Sequence, residues 1–305
     1  MSADVVVLGS ANLDLFAAVT DIPSGGETTL GDGPEPRPGG KGLNQAVAAA
    51  RAGAATALVG AVGQDDAGSV LLAAAASGGV DTTLVRRVRG SSGTAWIMVR
   101  PDGENAIVVL GAANRTVTGL EPAERRSIES ARVLVAQLET PASAVREAAE
   151  AARAAGTTVV LNASPVQALD SALLALTDVL VVNEHEAARI AGTSGDAEEN
   201  ARALAASVGT VIVTLGGDGA LVVDGAGRRH VPGVSADVVD TTGAGDTFAG
   251  VLAAGLAAGD DVDVAARRAS VAGALAVERP GALPSIPTRD EIERRQAQLG
   301  EGASR

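Results

Sequence analysis

The segment DTTGAGDTF, Asp240 to Phe248, sets Gly243 and Gly245 around Ala244 and follows them with Asp246, where an apolar helical stretch begins. Glycines here allow backbone angles closed to other residues and let a ligand approach the main chain. Residues Ala244 to Thr247 are then expected to present free N–H groups at a helix start, where the dipole also favours negative charge. An anion site is one reading, and a first-turn acid that merely caps a helix is the other. The capping reading leaves the two glycines unexplained. An acid seated among anion-binding N–H groups suits proton abstraction beside a phosphoryl group.

Further segments carry polar chemistry, each with a plainer alternative. PGGKGLNQA surrounds Lys41 with Gly39, Gly40 and Gly42 and starts a helix near Leu43, with Asn44 offering both a donor and an acceptor. An ordinary glycine turn with a solvated lysine fits the same residues. SANLDL ends the first strand and puts Asn12 and Asp14 on one side of an extended chain. Loops beyond the carboxyl ends of parallel strands are where open α/β folds bind ligands, and Asn with Asp suits sugar hydroxyls; an Asx turn is equally compatible. QLET places Glu139 just past a strand. VVNEHEA gathers Asn183, Glu184 and Glu186 at a strand–helix junction, as oxygens for magnesium through water or as charge favouring the helix dipole. His185 beside them has no second nearby His, and His230 reads as a surface residue. TLGGDGA, with Thr214, Gly216 and Gly219, admits a flat nucleotide or makes a tight turn.

Familiar nucleotide motifs fail. GPEPRPGGKG has Glu35 where a Walker A loop needs its first Gly, and Gly42 where it needs Ser or Thr. No G-x-G-x-x-G follows the first strand, where the chain reads GSANLD, and no G-x-S-x-G occurs.

The elements that must position these residues read as an alternation. Val5–Leu8, Ala57–Val59, Val133–Ala136, Val159–Leu161, Val179–Val182 and Val211–Thr214 are predicted strands. Gln45–Ala52, Ala67–Ala76, Ala142–Ala155, Ala197–Ala206, Gly245–Leu256 and Val262–Val277 are predicted helices. This predicts an α/β fold, a mostly parallel sheet between helix layers. Two stretches depart from the pattern: Asp14–Leu30 with the Pro/Gly-rich segment after it, and Gly93–Leu110, which reads as a hairpin around Pro-Asp-Gly. They predict a small separate sheet serving as a lid or dimer interface, because an exposed sheet wants a cover or partner. The expectation is one domain over 1–305 with a lid from roughly 14–38 and 93–110, and an unstructured tail from Gly300 to Arg305.

Composition narrows the function. The 305 residues are 46% apolar but 1% aromatic, and carry a formal charge of −13. Nucleic acid and anionic membrane are poor partners for such a chain. Cysteine is absent, so thiol chemistry and disulfides are excluded, and a reducing compartment fits. The first residues, MSADVVVLGS, read as a buried strand rather than a signal peptide, and no apolar run reaches a membrane span. The expectation is a soluble, cytoplasmic protein.

The order of the motifs carries more than any one of them. Asn-x-Asp after the first strand, GGKG-x-NQA near residue 40, Glu after a mid-chain strand, N-E-x-E, T-L-G-x-x-G and D-T-x-G-A-G-D-x-F together resemble the ribokinase-like carbohydrate kinase family, also called the PfkB family. The resemblance runs from about Val5 to Pro287, and NQAVAAARAGA, AVGQDDAG and VERPGALPSIP are similar to its ribose-phosphorylating members. It implies a three-layer α/β/α fold with a β-sheet lid that pairs with a second subunit's lid in a homodimer. The implied activity is a phosphotransferase acting on an alcohol, moving the γ-phosphoryl of ATP to the 5-hydroxyl of D-ribose. By the same resemblance Asp246 matches the catalytic base, and Gly243, Ala244 and Gly245 match the anion hole. Asn12, Asp14, Gly40, Lys41, Asn44 and Glu139 match sugar contacts. Asn183, Thr214, Gly216, Gly219 and Gly245 match nucleotide contacts, and Glu186 matches a magnesium residue acting through water. Asp240, Thr242, Ala276, Gly281 and Ser285 match a potassium site. One departure stands out: many relatives carry Asn near Ser270 in the adenine pocket, where this chain reads RRASVAGA. The competing readings are kinases of the same fold for 2-deoxyribose, fructose, a ketodeoxy sugar acid or a nucleoside, a non-catalytic sugar-binding module, and, more remotely, a nucleotide-dependent oxidoreductase.

Overall fold

The computed structural model describes residues 3–102, 104–167 and 169–302. Among them are strands β1 (Val5–Leu8), β2 (Asn12–Ala18), β3 (Glu35–Gly39), β4 (Thr56–Gly63), β5 (Val80–Asp81), β6 (Val85–Val88), β7 (Gly93–Val99), β8 (Asn105–Leu110), β9 (Val133–Ala136), β10 (Thr158–Asn162), β11 (Val179–Asn183), β12 (Thr210–Thr214), β13 (Gly219–Asp224) and β14 (Gly227–Pro232). They form two sheets. The large one runs β14-β13-β12-β11-β10-β9-β1-β4-β5, with β6 also on β4. From β12 to β5 every pairing is parallel, and the β13–β14 hairpin adds an antiparallel edge.

The apolar runs are continuous because both faces of this sheet are buried. Val5 and Val7 pack into one core with the helices Lys41–Arg51, Asp66–Ser77, Ala244–Ala258 and Val262–Val277. Val6 and Leu8 pack into the other, with Pro122–Ser130, Ala142–Ala155 and Ala197–Ala205. The result is three layers, α/β/α, as the alternation predicts. Alanine-rich composition brings the first layer close together. A Cβ on Gly250 would stand 2.4 Å from the Gln45 carbonyl oxygen and 2.5 Å from Ala48 Cβ, so the helices carrying Asn44 and Asp246 nearly touch main chain to main chain.

The small sheet runs β3-β2-β7-β8. Its β7–β8 hairpin follows the predicted pattern; Gly103 of the predicted turn lies outside the described residues. The segment around Pro36 and Pro38 forms β3, an edge strand paired only with β2, where a missing N–H is tolerated. Arg37 therefore lies in a strand. The carboxylate of Asp65, in AVGQDDAG, accepts from the main-chain N–H and hydroxyl of Ser92 at 2.8 and 2.6 Å and so fixes the entry to β7.

Three expectations are corrected. SANLDL does not end the first strand: the chain leaves the large sheet after Leu8 and begins β2 in the small sheet at Asn12. The helix expected near Leu43 begins at Lys41, because Gly40, at φ 94°, caps it from a conformation that L side chains avoid. The tail expected to be unstructured from Gly300 continues the Arg289–Gly302 helix, which starts with Glu291 accepting from the Thr288 N–H at 2.7 Å; residues 303–305 lie outside the described residues.

Candidate active site

Parallel strands direct their carboxyl ends to one edge of the sheet, and the polar residues singled out above collect there. Asn12 follows β1, Glu139 follows β9, and Asn183 and Thr214 end β11 and β12 as paired neighbours in register. Opposite them start the Lys41–Arg51 and Ala244–Ala258 helices.

Asp246 sits in the first turn of its helix and is 7% exposed. Both carboxylate oxygens accept amide donors from consecutive residues of the Lys41–Arg51 helix. Asn44 Nδ2 donates to Oδ2 and Gln45 Nε2 to Oδ1, each at 3.0 Å. Gly243 caps the helix at φ 76°, and a Cβ there would stand 2.8 Å from Ala282 Cβ. Only glycine makes this turn without pushing away the segment after Gly281. Gly243, Gly245 and Asp246 line a cavity of about 130 Å³ together with Lys41, Asn183 and Glu186. The first N–H groups of a helix lack acceptors within it, which suits this cavity to an anion.

Lys41 is not the solvated lysine of the plainer reading. Burial disfavours its ammonium, but the charges of Asp246, Glu139 and Glu186 outweigh that and raise its pKa. Glu139 accepts from the Ser10 hydroxyl at 2.5 Å and the Lys41 N–H at 3.3 Å. Asn12 and Asp14 share a face of β2. Burial, then the charges of Glu139 and Asp246, push the Asp14 carboxyl up to about 7. Asn12, Asp14, Gly40, Lys41, Asn44, Glu139 and Asp246 thus form one polar neighbourhood between the small sheet and the large one.

Asn183 and Glu186 form a reciprocal cap, with the Asn183 N–H on Glu186 Oε2 at 2.9 Å and the Glu186 N–H on Asn183 Oδ1 at 2.8 Å. Glu184 and Glu186 lie in the first turn, where their charge favours the helix dipole as the plainer reading of N-E-x-E has it, and Glu186 still lines the cavity. Among the described residues no three His, Cys, Asp or Glu are grouped so that they could hold a metal ion by themselves. A single carboxylate fits magnesium that takes its other ligands from phosphates and water.

Thr214, Gly216 and Gly219 line a second, more apolar cavity of about 430 Å³, with Val238, Phe248 and Val277; Gly245 lines both. Ser270 belongs to it, and its hydroxyl is buried without a partner.

Asp240 links two loops beside the Gly243 turn, accepting from Thr242 N–H at 2.9 Å and Gly281 N–H at 2.8 Å. Burial opposes its charge, but these bonds and the Arg37 guanidinium hold its pKa below the ordinary aspartate value. Asp240 also donates its own N–H to the Val277 carbonyl at 3.1 Å, next to Ala276. The Ser285 hydroxyl donates to the Ala282 carbonyl at 2.8 Å, and its oxygen keeps lone pairs for a further partner. One carboxylate with carbonyl oxygens is a hard-oxygen set that fits an alkali cation. His230 is exposed and meets the Asp218 carbonyl at 2.9 Å, and His185 is exposed too.

Four contributors escape sequence reasoning. Asn114 holds Asn12, donating to its Oδ1 at 2.8 Å, and no local signal marks it. Gln45, Gln137 and Asn162 form a buried amide chain behind Asp246. Gln45 and Asn162 leave a faint trace as polar residues within otherwise buried runs.

The model of the pfkB family carbohydrate kinases matches residues 2–289. The chain is 38% identical to the ribokinase of Haemophilus influenzae, over 95% of this chain and 97% of that protein, and 35% identical to that of Staphylococcus aureus, over 96% and 99%. Its structure is similar to that of Arabidopsis thaliana ribokinase complexed with ribose and ATP, with a TM-score of 0.90 and 31% identity, covering 96% of this chain and 98% of that one.

Proposed function

The chain belongs to the pfkB family of carbohydrate kinases, and on that premise we propose that it transfers the γ-phosphoryl group of ATP to the 5-hydroxyl of D-ribose. The observation that carries this reading is the placement of Asp246: both oxygens are held by amides, and it stands between a polar neighbourhood and an anion-suited helix start. Asn12, Asp14, Asn44 and Glu139 bind the sugar hydroxyls, with Gly40 and Lys41 closing one side. Asp246 takes the proton of the 5-hydroxyl as its oxygen forms a bond to the γ-phosphorus. The bond from that phosphorus to the bridging oxygen breaks, and ADP leaves with the electron pair. N–H groups of the Gly243–Asp246 turn and the Lys41 ammonium stabilise the charge on the transferred oxygens.

The nucleoside lies in the cavity of Thr214, Gly216 and Gly219, with Asn183 toward its phosphates. Magnesium, held through water by Glu186, supplies neutralisation of phosphate charge, and potassium at Asp240 with oxygens of Thr242, Ala276, Gly281 and Ser285 supplies positive field beside the turn. The small sheet acts as a lid and pairs with that of a second copy. Its outward face is apolar: Trp96 is 48% exposed and its cross-strand partner Val108 53%. No helix among the described residues is long and apolar enough to cross a membrane, and the absence of cysteine supports a cytoplasmic location.

The test is ATP turnover against ribose, 2-deoxyribose, fructose and a nucleoside, with and without potassium. Ribose should give the highest kcat/KM. A clear preference for another acceptor would reassign the substrate, and ribose binding without turnover would make the chain a binding module.

A further inference from the structure

We propose that Gln45, oriented by Gln137 and Asn162, is a positioning residue that fixes the rotation of the Asp246 carboxylate. The proposal rests on Asp246 being the base of the reading above. Gln137 and Gln45 are both 0% exposed, and neither lines the two cavities of the site. Whatever they do for turnover passes through another side chain.

The chain of hydrogen bonds has a direction. Asn162 Nδ2 donates to the Val181 carbonyl at 3.1 Å, which turns its Oδ1 toward Gln45. Gln137 Nε2 donates to Gln45 Oε1 at 2.7 Å. With its oxygen engaged, Gln45 presents its NH₂ group to Asn162 Oδ1 and Asp246 Oδ1, each at 3.0 Å. A flipped Gln45 amide would set oxygen against both acceptors and lose the Gln137 bond as well. The backbone carbonyl in β11 thus helps determine how the carboxylate sits.

Burying amides is costly unless each finds partners, and an apolar side chain would fill this position in an alanine-rich helix at no such cost. Asp246 is the only charged partner in the chain. Its Oδ2 is held independently by Asn44, so the two donors together lock the plane of the carboxylate and leave the remaining lone pairs to meet a substrate hydroxyl. Preorganisation of this kind lowers the barrier without altering how tightly substrate binds.

The experiment compares Gln45→Met and Gln137→Met, each in the native protein and in the Asp246→Asn background, by steady-state kinetics with ribose and ATP and by thermal melting to establish folding. Gln45→Met should lower kcat about 10- to 100-fold, the worth of a hydrogen bond to a charged group, with the ribose KM within about threefold. Gln137→Met should lower kcat in the same sense by about 3- to 10-fold, since Gln45 stays but loses its orienting donor. In the Asp246→Asn background both effects should shrink to about twofold or less, because the group they act through is gone. An unchanged kcat in folded Gln45→Met, a rise in KM at constant kcat, or equal losses in both backgrounds would overturn the proposal. Should Gln45→Met fail to fold, unchanged turnover in folded Gln137→Met overturns it. Near-native turnover of Asp246→Asn alone would instead remove the base assignment.

Discussion

Asn44 donates its side-chain amide to Asp246 at 3.0 Å, while its own Oδ1 is buried with no partner. A buried acceptor left unpaired costs free energy, and a sugar hydroxyl is the kind of donor it lacks. Asn44 therefore serves both base and substrate. Asn44→Ala should lower kcat and raise the ribose KM together, reducing kcat/KM by about 10²- to 10³-fold. Initial-rate kinetics check this, and a change confined to kcat would remove the sugar contact.

Asp246→Asn keeps the shape of the side chain and removes its capacity to take a proton. Turnover should fall by about 10²- to 10⁴-fold, the range general-base catalysis supplies. Ribose affinity by calorimetry should change little, and the melting temperature should stay within a few degrees. Loss of folding would show instead that the amide contacts to Asp246 are chiefly structural.

Asp14 gives the site a pH dependence with a definite sign. Its carboxyl is pushed up to about 7 by burial and by Glu139 and Asp246. In the unfolded chain it titrates at the ordinary aspartate value, so the folded state holds the proton more tightly. Below about pH 4 the group is neutral in both states and costs nothing. Between there and about 7 the cost of a buried carboxylate grows, and above 7 it is fully present. Asp14→Asn should thus stabilise the free protein at pH 8, by order of 1–3 kcal/mol, and have little effect at pH 4. The same group accepts sugar hydroxyls more strongly when ionised, so the native ribose KM should rise as pH falls below 7. Melting curves and KM at pH 5.5 and 8 check both; a stability gain larger at low pH would refute the sign.

Much of this arrangement is legible in the residues. The strands at Val5–Leu8 and Val133–Ala136 and the helices at Ala142–Ala155 and Val262–Val277 carry continuous or periodic apolar patterns, because one sheet buried on two faces dictates them. The break between β1 and β2 is not legible. VVVLGSANLDL runs from one sheet to another with nothing that distinguishes a change of sheet from a strand's end. The prolines of β3 hide a strand because edge position is a property of the whole sheet, not of the segment. In the site, motif spacing finds the residues at the cavity, whereas Asn114, Gln137 and Asn162 act across more than a hundred residues or through amides whose partners only folding supplies.

Gly243→Ala tests the anion turn. A side chain at φ 76° costs about 1–2 kcal/mol, and its Cβ would stand 3.0 Å from Ala282 Cα, in a segment that cannot give by a flexible side chain. The melting temperature should fall by several degrees. Displacement of the turn should also lower kcat by about 10²-fold, as loss of a single oxyanion donor does elsewhere. Native kcat in the folded variant would place the transferred phosphoryl away from this turn.

The outward face of the small sheet sets the last expectation. Trp96 pairs in register with Val108 and lies beside Leu15, and Leu110 is 51% exposed. A chain of formal charge −13 repels its own copies, so association needs apolar contact to offset that field. The exposed edge of β8 adds unpaired main-chain groups to the same region. Trp96→Glu brings a charge to the centre of this face without disturbing either core, since Trp96 is half-exposed. The native protein at about 10 μM should sediment as a dimer and melt at a temperature that rises with concentration. Trp96→Glu should sediment at half the mass, keep its secondary structure by circular dichroism, and melt at a temperature independent of concentration. A native protein that sediments as a monomer would refute the pairing outright, and a dimeric Trp96→Glu would move the interface off this face.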